Sequence, residues 1–409
     1  MSSTSLNSTA STGVKKGPLP LEGITVVSLE HAIAAPFCTR QLADMGARVI
    51  KIERPGVGDF ARKYDERTRG MASHFVWTNR SKESLTLDLK HADAGPILEQ
   101  LLAQADVLVQ NLAPGAAARM GLSFDALHSK FPKLIVCDIS GYGEGGPYET
   151  KKAYDLLIQS ESGFVSVTGS PDEPSKAGCS IADISAGSYA YSSILNALLL
   201  RHKTGLGSHL DVSMLESMVE WMSFPMYYAF EGAAPPPRSG ASHATIYPYG
   251  PFPVGDGNTI MLGLQNEREW VIFCEKVLEQ KSLAIDPEFD NNTKRTASRV
   301  RLRAVIVELF SNMTIAQVEQ KLEDAQIANA RVNEMKDVWA HPQLKARHRW
   351  TEVQSPVGLL PALLPPATNN QFDARMDPIP SIGEHTKAIL KELGVDEAAV
   401  ARLVADKAI

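Results

Sequence analysis

Short apolar runs alternate with amphipathic stretches along the first third of the chain, in an order that predicts a parallel sheet. GITVVSLE, residues 23–30, is a β-branched run; a loop, His31 to Pro36, follows, then a helical pattern through Leu42 and Met45, then the run ARVIKIE, residues 47–53. This is a strand–helix–strand unit. The pattern repeats in SLTLDL, the helix around PILEQLLAQA, DVLVQN and KLIVCDIS. Such continuous apolar strands suit a parallel sheet covered on both faces, so the first 150 ordered residues are α/β.

Beyond Tyr154 the texture turns helical. IADISAGSYAYSSILNALLLRHKTG, residues 181–205, reads as one long helix that Asp183 can cap at its start and Gly205 ends, and a strand, HLDVSML, comes next. Residues 231–255 are rich in Pro, Gly and small side chains, and the domain change is placed there. From Asn258 to Met335 strand and helix patterns alternate, TIMLGLQ, EREWVIFCEKVLE, SRVRLRAVIVELFSNM, then a Thr314–Gln317 capping box and a short run near ARVNEM, which together predict a small α+β domain. A Pro-rich stretch, 355–380, leads to a helix near Gly383-Glu-His-Thr386 and a second after Asp396. Residues 1–18 read as a disordered tail, and no repeat of solenoid length occurs.

The length, 409 residues, calls for two domains or one with a large insertion. Lys and Arg total 41 against 47 acids with no basic block, so there is no electrostatic footprint for nucleic acid. No apolar run is long enough to span a membrane, and the Ser/Thr-rich N-terminus lacks the apolar core of a secretory signal. Cys38, Cys137, Cys179 and Cys274 stand far apart, which argues against a disulfide framework or a zinc ribbon and for a cytoplasmic protein.

Gly141-Tyr-Gly-Glu-Gly-Gly146 satisfies GxGxxG after a strand, but Pro147-Tyr-Glu-Thr-Lys-Lys follows and not a helix. Without a helix N-terminus to receive a pyrophosphate, the segment reads as a flexible loop that folds over something else. Lys51, Arg54, Arg62, Arg80, Lys82 and Arg119 recur near strand ends and loops, and as a set they fit a ligand with several phosphates. Glu53 could be the ribose acid of a dinucleotide enzyme, a reading the missing glycines of the first turn weaken. Asp155 enters an apolar segment beyond the glycine loop, where a helix N-cap and a catalytic acid are both open readings. No serine elbow, no HExxH and no clustered His/Cys/Asp ligand set appears, and Cys38 and Cys137 read as buried small residues.

In ordered blocks from Pro20 onward, the chain resembles the class III CoA-transferases (CaiB/BaiF, formyl-CoA transferase-like). The blocks are PLEGITVVSLE, AAPFCTRQLADMGARVIKIERPGVGDFAR, NRSKESLTLDLK, VLVQNLAPGAAARMG, SGYGEGGPY, AYDLLIQ, IADISAG, RHKTGLGSHLDVSM, YPYGPF and GEHT. The resemblance implies a large Rossmann-like domain from both chain ends (19–230 and 350–409), a small α+β domain from the middle (231–349) and an interlocked homodimer. It implies acyl-CoA as substrate with no tightly bound cofactor and no metal. CoA contacts carry over to Ala32, Ile33, Arg54, Leu87, Asn111, Leu112, Arg119, Met120 and Tyr142, while Ser140 stands where formyl-CoA transferase has a lysine.

The family nucleophile falls on Asp155, whose carboxylate attacks the thioester to give a mixed anhydride and then an aspartyl-CoA thioester, with Gly143 and Gly145 of the loop as oxyanion donors. Related α-methylacyl-CoA racemases carry a histidine where Tyr154 stands, so racemisation is the enzymatic alternative and a non-catalytic CoA-binding protein the other. Arg238, His243 and Tyr247 lie where the small domain would meet a second carboxylate. The overall look is of transferases that use succinyl-CoA to activate itaconate, mesaconate or citramalate.

Overall fold

A computed structural model describes residues 17–409, so the expected tail lies outside the described residues except for Gly17 and Pro18. The strands of the first half form where expected. They are β1 (Thr25–Leu29), β2 (Arg48–Glu53), β3 (Lys82–Thr86), β4 (Val107–Gln110), β5 (Ile135–Ser140) and β6 (His209–Ser213). All five pairings are parallel and the order is β3-β2-β1-β4-β5-β6, so the chain reverses its direction of travel across the sheet between β1 and β4. Val26, Val27, Ile50, Leu85, Leu108 and Val136 are buried, as strands covered on both faces require.

Helices α1 (Ala34–Asp44), α2 (Ala94–Gln104), α3 (Phe124–Lys130), α4 (Asp155–Glu161) and α5 (Ile181–Thr204) connect these strands. α2 lays Ile97, Leu98, Leu101 and Leu102 onto the sheet. On α5, Gly187 faces α1: a Cβ there would lie 2.6 Å from the Ala34 carbonyl oxygen and 3.0 Å from the Phe37 ring, so the close approach of the two helices depends on that glycine. Gly205 ends α5 with φ of 76°, as expected, but Asp183 does not cap it. Ser180 holds the N-cap position and Asp183 lies three residues further on, within the first turn. HLDVSML is a strand only to Ser213, whose Oγ accepts the Glu216 amide at 3.2 Å and starts a helix from Met214.

Contacts divide the chain into two compact units. The first takes the chain up to Glu161, then Cys179–Glu220 and Ala346–Ile409; the second takes Ser162–Gly178 and Trp221–Lys345. The excursion through 162–178 is not apparent in the sequence, because the interactions that bind it are distant along the chain. Gly240 donates to the Gly169 carbonyl at 2.8 Å, and Arg238 donates to the carbonyls of Ser166, Ser170 and Pro171.

The second unit has a three-stranded antiparallel sheet, β7 (Tyr249–Pro253), β8 (Thr259–Gly263) and β9 (Ala328–Arg331), packed with α6 (Arg299–Phe310) and α7 (Ile315–Asp324) around Trp270, Phe273 and Phe289. The Thr314–Gln317 capping box is formed at the head of α7. In the first unit, the hairpin β10 (Trp350–Val353) and β11 (Leu360–Leu363) packs with Phe75. The terminal helices α8 (Thr386–Glu392) and α9 (Glu397–Ala405) place Ile389, Leu390 and Leu403 in the sheet's core, and Thr386 Oγ1 accepts the Thr86 amide at 2.9 Å.

Candidate active site

Five adjacent parallel strands end on the same side of the sheet, and the loops that follow them carry the expected ligand residues. Ala32 and Ile33 follow β1, Arg54 follows β2, Leu87 follows β3, Asn111 and Leu112 follow β4, and the glycine loop follows β5. The crevice outside the carboxyl ends of such strands, where strand order reverses, is where open α/β sheets bind ligands.

The loop after β1 is fixed before any ligand arrives. Asn111 clamps His31 from both sides, its Oδ1 accepting the His31 amide and its Nδ2 donating to the His31 carbonyl, each at 2.9 Å. Ala32 has φ of 61°, a conformation that a residue with a Cβ seldom adopts, and its amide donates to Asp59 Oδ1 at 3.2 Å. Asp59 is in turn held by Lys51 at 2.8 Å, with both side chains fully buried. Ile33 and Leu87 are buried, so any contact they make with a ligand is through backbone; Leu112 is half-buried and Met120 exposed.

The expected set of phosphate-binding cations is smaller than the sequence predicts. Lys51 and Lys82 are buried on Glu30, at 3.2 and 2.6 Å; Arg62 is bidentate to Glu53 and lies 3.7 Å over the Phe75 ring; Arg80 is bidentate to Asp44. These cations neutralise buried acids, which is why none is free for a ligand. Burial pushes Glu30 upward, but Lys51 and Lys82 outweigh it and hold the carboxyl at about 2. Glu53 is likewise down at about 2, which gives that acid a structural partner and not a ribose. Arg54 and Arg119 are exposed, and neither pairs with an acid among the described residues. Arg119 folds toward Gly115, where a Cβ would stand 2.9 Å from its Nη1.

The glycine loop is tied down at several points. Gly143 and Gly145 have φ of 81° and 77°, which only glycine adopts freely. Yet the Gly143 amide donates to Ser140 Oγ and the Glu144 amide to Asp211 Oδ2, both at 2.8 Å. Two of the loop's amides are therefore engaged within the protein, and the expectation that Gly143 donates to an oxyanion is corrected accordingly. Tyr142 packs edge-on to Tyr148, and Lys151 lies over both rings. Gly141 abuts Ala153, with 2.2 Å between a Cβ built there and the alanine's own, which brings the loop beside the segment leading to Asp155.

Asp155 opens α4, but its carboxylate serves another helix. Oδ1 accepts the Ala182 amide at 2.8 Å and the Asp183 amide at 3.3 Å, both in the first turn of α5, while Oδ2 accepts Gln159 Nε2 at 2.6 Å. First-turn amides have no acceptor within their own helix and carry its positive end, so an anion is stabilised there. Burial, reinforced by the Asp155 charge, pushes the Asp183 carboxyl up to about 7. Tyr64 is raised to about 12, by burial first and then by the acids Asp59 and Asp183.

Residues 21–386 match the model of CoA-transferase family III. The chain belongs to that family. It is 32% identical over 390 residues to human succinyl-CoA:glutarate CoA-transferase, covering 94% of this chain and 89% of the relative. A succinyl-CoA:mesaconate CoA-transferase from Haloarcula marismortui is 30% identical over 392 residues, with 92% and 97% covered. A CaiB/BaiF family protein from Brucella suis superposes with a TM-score of 0.82 at 32% identity over 92% of this chain and all of that one, 100%. The enzyme is thus a CoA-transferase, and no helix among its described residues is long and apolar enough to cross a membrane.

In the smaller unit of this family III enzyme, the three residues expected to meet a substrate carboxylate have structural roles. Arg238 donates to three carbonyls and closes its loop; His243 Nδ1 accepts the amides of Thr245 and Ile246 at 3.2 and 3.0 Å while its ring stacks on Tyr249; Tyr247 is buried in the unit's core. For Arg238 and His243 the cause is that backbone groups left open by an irregular loop claim the nearest polar side chains, and for Tyr247 it is burial of the ring.

Several site residues are absent from the sequence reading. Gln159 stands one turn from Asp155 on α4, a spacing that could have signalled it. Asp138, Glu144 and His209 bring ligand atoms within 4.8 Å of one another, although no linear motif joins them. Pairing of β5 with β6 brings Asp138 and His209 together, and His209 Nε2 is hydrogen-bonded to Asp138 Oδ2 at 2.8 Å.

Proposed function

We propose that this chain moves CoA from succinyl-CoA to a short dicarboxylic acid, with Asp155 as covalent nucleophile. The observation that carries the reading is the Asp155 carboxylate, held at the head of α5 beside the glycine loop in a family III chain. Attack of Asp155 on the acyl-CoA thioester breaks the C–S bond and gives a mixed anhydride with free CoA thiolate. The thiolate then attacks the aspartyl carbon and releases the first acid. The acceptor acid reverses the sequence. No oxidant, reductant or net proton is needed, so the residues have only to orient, shield and stabilise charge.

Arg54 and Arg119 are exposed in the loops after two of the parallel strands with no acid partner among the described residues, and in this reading they bind the phosphates of CoA. The acceptor class follows the relatives, which are named for glutarate and mesaconate, so glutarate joins itaconate, mesaconate and citramalate as the acids to try. The reading includes a homodimer. In the smaller unit, Trp221, Phe224, Met226, Tyr227 and Phe230 are exposed along one short segment, apolar surface for a second subunit to cover. It also places the enzyme in a reducing cytoplasm, which four free cysteines suit.

The test is acyl exchange. Purified protein is given succinyl-CoA with each acid in turn, beside Asp155→Ala, and new acyl-CoA species are followed by mass spectrometry. Dicarboxylyl-CoA made by the wild type and lost in the variant supports the reading; solvent deuterium entering a 2-methylacyl-CoA with no exchange in any pair overturns it.

A further inference from the structure

The two oxygens of the Asp155 carboxylate have different surroundings. Oδ1 is held by two backbone amides, Ala182 at 2.8 Å and Asp183 at 3.3 Å, at the head of a 24-residue helix, and Ala182 is fully buried. Oδ2 meets one side-chain donor, Gln159 Nε2, at 2.6 Å. The donor on Oδ2 is a buried side chain whose torsions can adjust, whereas the donors on Oδ1 are backbone amides fixed by the first turn of the helix.

We infer that the two oxygens have separate fates: Oδ2 makes and breaks bonds, while Oδ1 stays on Asp155 through every turnover, with the Ala182 and Asp183 amides receiving the negative charge that develops on it. The inference rests on Asp155 being the nucleophile and adds the identity of the reacting atom and of the donors that stabilise it.

Following the oxygens makes this testable. Oδ2 attacks the donor thioester carbon, the C–S bond breaks, and Oδ2 becomes the bridging atom of the anhydride. CoA thiolate then attacks the Asp155 carboxyl carbon, charge builds on Oδ1, and the bond from that carbon to Oδ2 breaks, so Oδ2 departs in the first product acid. An oxygen of the acceptor acid next attacks the aspartyl thioester. Charge returns to Oδ1 and thiolate leaves. Thiolate finally attacks the acceptor's acyl carbon, and the acceptor's oxygen remains on Asp155 in place of the one lost.

Amides aimed at the atom where charge develops are the most effective donors an active site offers, because they need no reorganisation at the moment of reaction. The glycine loop offers fewer, since the Gly143 and Glu144 amides already donate to Ser140 and Asp211. Asp183 lies in the same first turn, and its carboxyl, raised to about 7, stays largely uncharged at lower pH, leaving the positive end of the helix to Oδ1.

The experiment uses wild-type enzyme, succinyl-CoA and a large excess of an acceptor acid labelled with heavy oxygen in its carboxylates, in ordinary water. After many turnovers the protein is digested and the peptide bearing Asp155 is weighed, with product acyl-CoA measured in the same tube. One heavy oxygen in that peptide, constant from the first few turnovers to hundreds, is the expected result. A rise to two heavy oxygens means that the carboxylate turns over in place, and overturns the inference while leaving Asp155 the nucleophile. No label despite product formation removes Asp155 from the covalent chemistry, and the proposed function fails with it.

Discussion

Asp183 and Asp155 put two carboxyls on the first turn of one helix, and only one of them receives its amides. The other is held at about 7, so the wild type should lose kcat/KM as pH rises past that value and a second negative charge appears beside Oδ1. Asp183→Asn should lack this alkaline limb. Stability carries the same sign. In the unfolded chain the carboxyl ionises near 3.8, so the folded state binds the extra proton and stability falls between 3.8 and about 7. Melting curves should therefore show Asp183→Asn gaining on the wild type across that window, with no further gain above it. None of this was legible in the sequence, where Asp183 read as a cap, because a cap and a first-turn residue differ by three positions in the same polar segment. Arg54 and Arg119 read as phosphate ligands together with Lys51, Lys82, Arg62 and Arg80, since sequence cannot show that the last four already face buried acids. Arg54→Ala and Arg119→Ala should each raise the KM for acyl-CoA by about tenfold and leave kcat nearly unchanged, as loss of one charge-assisted contact implies.

At the scale of elements, periodicity located the six strands and the long helix because both faces of a parallel sheet are buried, and Gly205 and the Thr314 box marked their ends by local chemistry. It could not show that α5 crosses α1 closely enough to exclude a side chain at Gly187. Gly187→Val should therefore destabilise the protein by about 1–3 kcal/mol through overpacking. It should also reduce kcat, since the strain lies less than two turns from the amides that hold Asp155, and thermal melts beside initial rates would check both. The loop after β1 depends on a buried charge network of equal importance. Glu30→Gln leaves Lys51 and Lys82 without their shared acid, and unfolding titrations should show a loss of about 3 kcal/mol.

For the whole molecule, the family and its reaction were readable because ordered blocks span most of the chain, and several of them lie at the carboxyl ends of the parallel strands. The acceptor acid was not. The residues chosen for it, Arg238, His243 and Tyr247, also hold their own loop and core together, a role that sequence does not separate from substrate binding. The exposed aromatic segment near Phe224 leads to an expected solution mass, by light scattering, of twice the 44.4 kDa chain.

In the proposed reaction CoA passes through a covalent bond to Asp155. Its most direct test is to mix the enzyme with succinyl-CoA alone, quench at once, and weigh the intact protein and its peptides. The expected result is a CoA adduct on the peptide bearing Asp155, discharged as a new acyl-CoA when a dicarboxylate is added and absent from Asp155→Ala. Undiminished acyl transfer by Asp155→Ala would contradict it.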